Sequence, residues 1–110
     1  MIIDLKGMEA ETFKNFKGGE KEIAAKMFFD GKNRIMHGTI LKGASIGLHT
    51  HTDNCEIVYA LSGKAKILFD DGVEYLSAGQ SHYCPKGHAH SMINESDEPF
   101  VFFAAVPEQK

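Results

Sequence analysis

After Gly19 the chain is divided into short segments in which apolar and polar residues alternate, and no segment there has a helical period. Alternation with a period of two is the pattern of a β-strand with one buried face. Turn signals such as Asp71-Gly72 separate the segments. Many short strands at regular spacing are typical of a sandwich or a small barrel. The pattern therefore predicts an all-β fold with at most one short helix, over residues 8–17.

The composition restricts the partners of this fold. With 110 residues, of which 43% are hydrophobic, the chain is expected to form a single domain over residues 1–110. Its net charge of −3 is unsuited to binding nucleic acid or an anionic membrane surface. The first residues do not form a signal peptide, and the apolar run over residues 100–106 is too short to span a bilayer.

The two cysteines, Cys55 and Cys84, form neither a CxxC motif nor a disulfide framework. Reduced thiols of this kind are typical of cytosolic proteins, so we expect a cytoplasmic location.

Six histidines in 110 residues are more than an ordinary core needs. His49 and His51 are two residues apart, so on a strand their side chains point to the same face. A short turn over residues 52–54 brings Glu56 back towards them, and His90 lies on a separate predicted strand. Three imidazoles and one carboxylate suit Mn, Fe, Co, Ni, Cu or Zn, and they leave positions open on a six-coordinate ion.

The spacing of ten residues around these histidines resembles the two sequence motifs of the cupin superfamily. The first motif is matched by Gly43, His49, His51, Glu56 and Gly63, and the second by Gly79, Pro85, Gly87, His90 and Asn94. The sequence is therefore similar to a small single-domain cupin over residues 20–107. The four glycines are expected to occupy turns.

The resemblance implies a double-stranded β-helix, which is a jelly-roll barrel of antiparallel strands. It also implies that His49, His51, Glu56 and His90 bind one divalent transition metal inside the barrel. Because cupins commonly dimerise through their sheets, a homodimer is expected, and the apolar N-terminal segment could contribute to its interface.

Alternation along the predicted strands suggests which other residues line the pocket. The inward face that carries Glu56 and His90 is expected to include an apolar wall, formed by Met36, Ile40, Val58, Phe69, Met92 and Phe102. His37, Tyr59 and Tyr83 are the candidates for a polar group near the metal. His82 and His88 have no assigned role. No lysine or arginine is clearly placed in the barrel, which argues against a phosphorylated or highly charged substrate.

Three functions are compatible with these residues. The chain is either a metal-dependent enzyme acting on a small organic molecule, with dioxygenase-, isomerase- or decarboxylase-like chemistry, or a non-enzymatic small-molecule-binding protein or sensor. A purely structural metal is a poor fit, because structural zinc sites are usually closed and rich in cysteine. A polar group beside the metal would distinguish the enzyme from the other two.

Overall fold

The computed structural model describes residues 1–110 as two antiparallel β-sheets, with no α-helix. The strands are β1 (Glu11–Lys14), β2 (Glu22–Phe29), β3 (Arg34–Ile40), β4 (Ser45–Thr50), β5 (Glu56–Ser62), β6 (Lys64–Phe69), β7 (Gly72–Ser77), β8 (Ser81–Cys84), β9 (Ala89–Ile93) and β10 (Phe100–Val106). One sheet has the order β1-β2-β3-β10-β5-β8 and the other β4-β9-β6-β7. This arrangement confirms the predicted all-β jelly-roll fold. No helix in the structure has the length and hydrophobicity needed to span a lipid bilayer.

The short helix predicted over residues 8–17 is wrong. That segment contains β1, which pairs with β2 from Glu11 opposite Ala25 to Lys14 opposite Glu22, and then a 3₁₀ turn over Phe16–Gly18. Asn15 has a φ of 50°, which ends β1 and is incompatible with an α-helix. Pairing with the edge of the larger sheet satisfies the backbone groups of this segment, so tertiary contacts override its local helix propensity.

The core fills the space between the two sheets. Alternate residues of the strands point inward, as in β10, where Phe100, Phe102 and Ala104 are buried. The rings of Phe100 and Phe102 stack at 5.6 Å. A Cβ atom on Gly38 would overlap the ring of Phe102, so β3 needs a glycine at this position.

A β-bulge in β4 determines which way its histidines point. Ile46 pairs with Met92 and His49 pairs with His90, so β4 has one more residue than β9 between these two pairs. Ile46 is buried and Leu48 is 61% exposed. Without the extra residue, alternation from the inward-facing Ile46 would point His49 outward, away from His90. The bulge therefore brings His49 onto the inward face, opposite His90.

The turn residues of the two motifs have the expected backbone conformations. The four motif glycines all have positive φ: Gly43 80°, Gly63 82°, Gly79 89° and Gly87 87°. At Gly63 a side chain would also strike the carbonyl oxygen of Pro99. Asn94 is fully buried, and its side-chain amide donates to the carbonyl oxygens of Ile40 and Glu98. These contacts hold together the end of the barrel opposite the histidines.

Candidate metal centre

Four side chains from both sheets meet at one point between them. His49 lies at the end of β4, His51 directly after it, and His90 opposite them on β9. Residues 51–55 cross from one sheet to the other, so that Glu56 enters as the first residue of β5. One possible ligand atom from each of the four side chains lies within 4.8 Å of all the others. His51, Glu56 and His90 are buried, whereas His49 is partly exposed.

The Glu56 carboxylate is the centre of this group. Its Oε1 atom lies 2.8 Å from Nε2 of His90, 3.1 Å from Nε2 of His51 and 3.9 Å from Nε2 of His49. The Nε2 atoms of His51 and His90 are themselves 3.0 Å apart. All three imidazoles therefore turn the same nitrogen towards one carboxylate oxygen.

The other nitrogen of each ring is held by a separate partner. Nδ1 of His49 donates to the carbonyl oxygen of Gly47 at 2.7 Å, and Nδ1 of His51 donates to Oδ1 of Asn54 at 2.5 Å. Nδ1 of His90 lies 3.0 Å from Nε2 of His82. A carbonyl oxygen can only accept, so the proton of a neutral His49 ring resides on Nδ1 and leaves Nε2 bare.

A chain of contacts continues from His90 to the surface. His82 is buried, and its Nδ1 atom donates to Oε1 of Glu74 at 2.7 Å. With this proton on Nδ1, Nε2 of a neutral His82 accepts from Nδ1 of His90. The Glu74 carboxylate thus sets the tautomer of His82, and His82 sets that of His90. Partners of this kind orient the histidine ligands of metals in proteins.

These residues fit a divalent transition metal. When all three rings are neutral, these partners hold their protons on Nδ1, and three Nε2 lone pairs then converge with a carboxylate oxygen. Such electron-rich atoms repel one another unless a cation lies among them. Three imidazole nitrogens and one carboxylate oxygen form a donor set that transition metals accept and that leaves coordination positions open.

The pKa shifts of Glu56 and His90 favour the forms that bind a metal, whereas the shift of His51 favours its protonated form. Burial alone would raise the pKa of Glu56, but hydrogen bonds with His49, His51 and His90 outweigh it and hold this pKa well below its usual value. Burial is the largest influence on His90 and lowers its pKa, against the opposing effect of Glu56. For His51, burial is outweighed by hydrogen bonds to Glu56 and Asn54, so its pKa is raised. A carboxylate and a neutral His90 are the forms that bind a metal.

A cavity of about 150 Å³ opens beside the cluster, and His49, His51 and Glu56 are part of its wall. Its wall also includes residues from the 3₁₀ turn, β3, β4, the segment after β4 and β10. These are Phe16, Lys17, Arg34, Met36, Ile46, Thr50, Thr52, Asn54 and Val106. The opening gives a small molecule access to any open position of an ion in the centre.

Of the six residues expected to form the pocket wall, the structure places one on the cavity and the other five in or against the core. Met36 lines the cavity. Ile40, Val58, Met92 and Phe102 are buried in the core cluster, and Phe69 packs against its edge. These side chains fill the barrel rather than face open space, because the two sheets pack closely beyond the histidines.

The three candidate polar residues also lie away from the cavity. His37 is on the face of β3 opposite to Met36, and Tyr59 and Tyr83 are 43% and 54% exposed on the outer face of the larger sheet. His88 pairs with Asp70 at 2.6 Å near the surface. Cys55 and Cys84 are free and buried, and burial raises the pKa of the Cys84 thiol to about 11.

Two cations on the cavity wall were missed by the sequence analysis, which placed no lysine or arginine there. Arg34 shares the inward face of β3 with Met36, and strand alternation could have located it. Lys17 reaches the wall because the 3₁₀ turn packs against β4, where Gly19 and Gly47 bring the two backbones together. A side chain on either glycine would strike the other segment, and no periodicity indicates this contact.

A jelly roll of two antiparallel sheets, with three histidines and a glutamate meeting between them, is the arrangement that the two sequence motifs imply. A family model for the cupin domain (Cupin_2) matches residues 36–106, more than half of the chain. The chain belongs to the cupin family.

Two curated proteins show how far the similarity extends. The chain is 27% identical to the oxalate-binding protein of Thermotoga maritima, over 96% of this chain and 93% of that protein. It is 34% identical to a glucose-6-phosphate isomerase of Thermococcus onnurineus, over 54% of this chain but only 34% of the isomerase.

Among solved structures, a "predicted oxalate decarboxylase" of Thermotoga maritima superposes with a TM-score of 0.90 at 24% identity. The superposition covers 98% of this chain and 99% of that chain. At 24% identity, this similarity establishes that the two chains share a fold.

Proposed function

We propose that the chain binds one divalent transition metal through its histidine and glutamate cluster and is an enzyme acting on a small organic molecule held at that ion. The ligands are His49, His51, Glu56 and His90. The observation that carries the proposal is the convergence of three Nε2 atoms on one carboxylate oxygen, while each Nδ1 atom is engaged elsewhere. Mn, Fe, Ni, Co, Cu and Zn accept such a donor set, and the bound ion supplies Lewis-acid or redox chemistry.

The cavity residues have separate tasks in this proposal. Met36, Ile46 and Val106 form an apolar part of the wall that limits the access of water. Thr50 and Thr52 offer hydroxyl groups that orient a polar ligand. A cavity beside the cluster also argues against a purely structural metal, which would be enclosed on all sides.

A small carboxylic acid is the organic molecule that the comparisons favour. The relative that matches over nearly its whole length is named for binding oxalate. Decarboxylase-like chemistry is therefore the first activity to test, ahead of dioxygenase- or isomerase-like chemistry.

The alternative is a protein that binds the same molecule without converting it. The contents of the cavity wall favour this alternative, because His37, Tyr59 and Tyr83 lie elsewhere and the remaining wall contains no carboxylate except Glu56. A catalyst that moves protons usually places an acid or a base within hydrogen-bond reach of its substrate.

Elemental analysis of protein purified without a chelating tag tests the metal site. We expect about one transition metal per chain, lost in His49→Ala and His90→Ala but retained in His37→Ala, which alters a histidine outside the cluster. Full occupancy in both cluster variants would refute the site. Incubating the metal-loaded protein with oxalate and measuring its consumption by NMR then separates the enzyme from the binding protein.

We also propose that the chain is a homodimer. The outer face of the larger sheet supports this, since Ile57, Tyr59 and Leu61 on β5 and Tyr83 on β8 are all at least 43% exposed. A row of apolar side chains on one sheet face is a surface that a second copy of the sheet can cover.

A further inference from the structure

The only arginine of the chain, Arg34, stands on the cavity wall without an acceptor for its hydrogen bonds. Its Nε atom is buried and has no hydrogen-bond partner. None of the ion pairs in the structure includes Arg34. Buried donors almost always have a partner, so an orphaned one beside a cavity points to an acceptor that enters from outside.

We infer that Arg34, with Lys17 beside the same opening, forms an anion subsite that binds the carboxylate group of a small organic acid. The inference rests on the proposed function, because it assigns the ligand that the metal cavity admits. It replaces the sequence-based expectation that a highly charged ligand is disfavoured.

The guanidinium of Arg34 is arranged for a carboxylate. Its central carbon lies 4.7 Å from the centre of the Phe29 ring, and this cation–π contact helps to hold the group at the cavity wall. With no ion pair or hydrogen bond to hold them, its two terminal Nη–H groups can donate side by side to both oxygens of a carboxylate. Lysine lacks this planar pair of donors.

The charges around the cavity favour the same ligand. Glu56 is the only acidic residue on the wall, and its carboxylate is engaged by the three histidines. Lys17 takes part in no ion pair and lies on the wall beside Phe16. Arg34 and Lys17 are therefore the charged groups of the wall that are free to interact with a ligand, and both are positive.

The volume of the cavity suits a small acid. A cavity of about 150 Å³ has room for several water molecules. Drug-sized ligands occupy pockets of about 300 Å³ or more. A compact mono- or dicarboxylate of a few heavy atoms, such as formate, malonate or oxalate, is the chemical class that fits both size and charge.

Calorimetric titration of the Mn²⁺-loaded protein with oxalate tests the subsite. We expect wild type to bind oxalate and not oxamide, its neutral diamide of similar shape. Arg34→Gln should weaken oxalate binding by about tenfold to a hundredfold, since a hydrogen bond to a charged group is lost, and Arg34→Lys should restore part of it. Lys32→Gln, which removes one charge from the nearby β2–β3 turn outside the cavity, is the matched control.

Chemical labelling provides a second measurement on the unaltered protein. Because the chain has one arginine, phenylglyoxal modifies a single site that mass spectrometry can follow. Oxalate should slow this modification, and oxamide should not.

Metal content is measured on every variant, so that a failure of the proposed metal site can be distinguished from a failure of the anion subsite. An absence of metal from wild type would refute the proposed function. With metal bound, the subsite is refuted if oxalate, malonate and formate all fail to bind. It is also refuted if oxamide binds as well as oxalate, or if Arg34→Gln binds oxalate within twofold of wild type.

Discussion

The Nε2 atom of His82 lies 3.0 Å from the Nδ1 atom of His90, on the side of the His90 ring that faces away from Glu56. His82 is buried, so this contact is protected from competition by water. The contact orients the His90 ring and keeps its proton on Nδ1. His82 is therefore a positioning residue for the candidate metal centre, although it belongs to neither sequence motif.

Replacing His82 with Phe should weaken metal binding by about tenfold to a hundredfold, because His90 loses the partner that fixes its tautomer. His82→Gln offers an acceptor and should recover part of the affinity. Competition with a chelator measures the dissociation constant, and ¹⁵N NMR of the His90 ring reports its tautomer in the metal-free protein. An unchanged affinity and an unchanged tautomer in His82→Phe would contradict this role.

Asp30 should stabilise the β2–β3 turn in a pH-dependent way. Its carboxylate accepts hydrogen bonds from the backbone N–H groups of Lys32 and Asn33, and these lower its pKa. A lowered pKa in the folded state means that the stabilisation is present above the unfolded-state pKa of about 3.9 and is lost as the pH falls through the folded-state pKa.

Urea unfolding of wild type and Asp30→Ala across this pH range provides the measurement. The difference in unfolding free energy should be present at neutral pH and disappear in acid. Asp30→Asn, which keeps a neutral acceptor, should show little dependence on pH. A difference between wild type and Asp30→Ala that is the same at all pH values would exclude a role for the carboxylate charge.

Gly38→Ala should destabilise the fold by about 1–3 kcal/mol, because the added methyl group would overlap the ring of Phe102 in a filled core. Gly72→Ala is the control, since a Cβ atom there meets only the carbonyl oxygen of Phe69 at an ordinary contact distance of 3.6 Å. Thermal unfolding of the two variants measures the difference. Equal midpoints for both would show that the β3–β10 contact accommodates the methyl group.

The proposed homodimer should dissociate when the outer face of the larger sheet becomes charged. Tyr59→Lys places a charge in the middle of the apolar row on β5, whereas Tyr75→Lys alters a similarly exposed tyrosine of the smaller sheet. Light scattering should give twice the chain mass of 12.2 kDa for wild type and Tyr75→Lys, and the chain mass for Tyr59→Lys. A wild-type mass of 12.2 kDa would rule out the dimer.

Strand alternation and motif spacing predicted the all-β fold and the four residues that the structure brings together. These signals are local, or they depend on fixed distances along the chain. The bulge in β4 has no comparable signal. Simple alternation from Ile46 would direct His49 outward, and only the pairing with β9 reveals the extra residue.

The cavity wall was harder to predict because it depends on how the sheets and the N-terminal segment pack. Val58 and Met92, which alternation places on the inward face, are buried in the core cluster and do not line the cavity. Arg34 lies on the cavity wall, at the start of β3. The contribution of Lys17 depends on a turn that the sequence favoured as part of a helix.

The contact between Gly19 and Gly47 constrains the backbone next to the cavity but not the side chains that line it. Neither glycine can be exchanged without pushing the N-terminal turn away from β4, because a Cβ atom on either would strike the opposite backbone. Phe16 and Lys17, which this contact presents to the opening, have no such restriction on their side chains. A library that seeks a new ligand preference should therefore randomise Phe16, Lys17 and Thr52 and leave both glycines untouched.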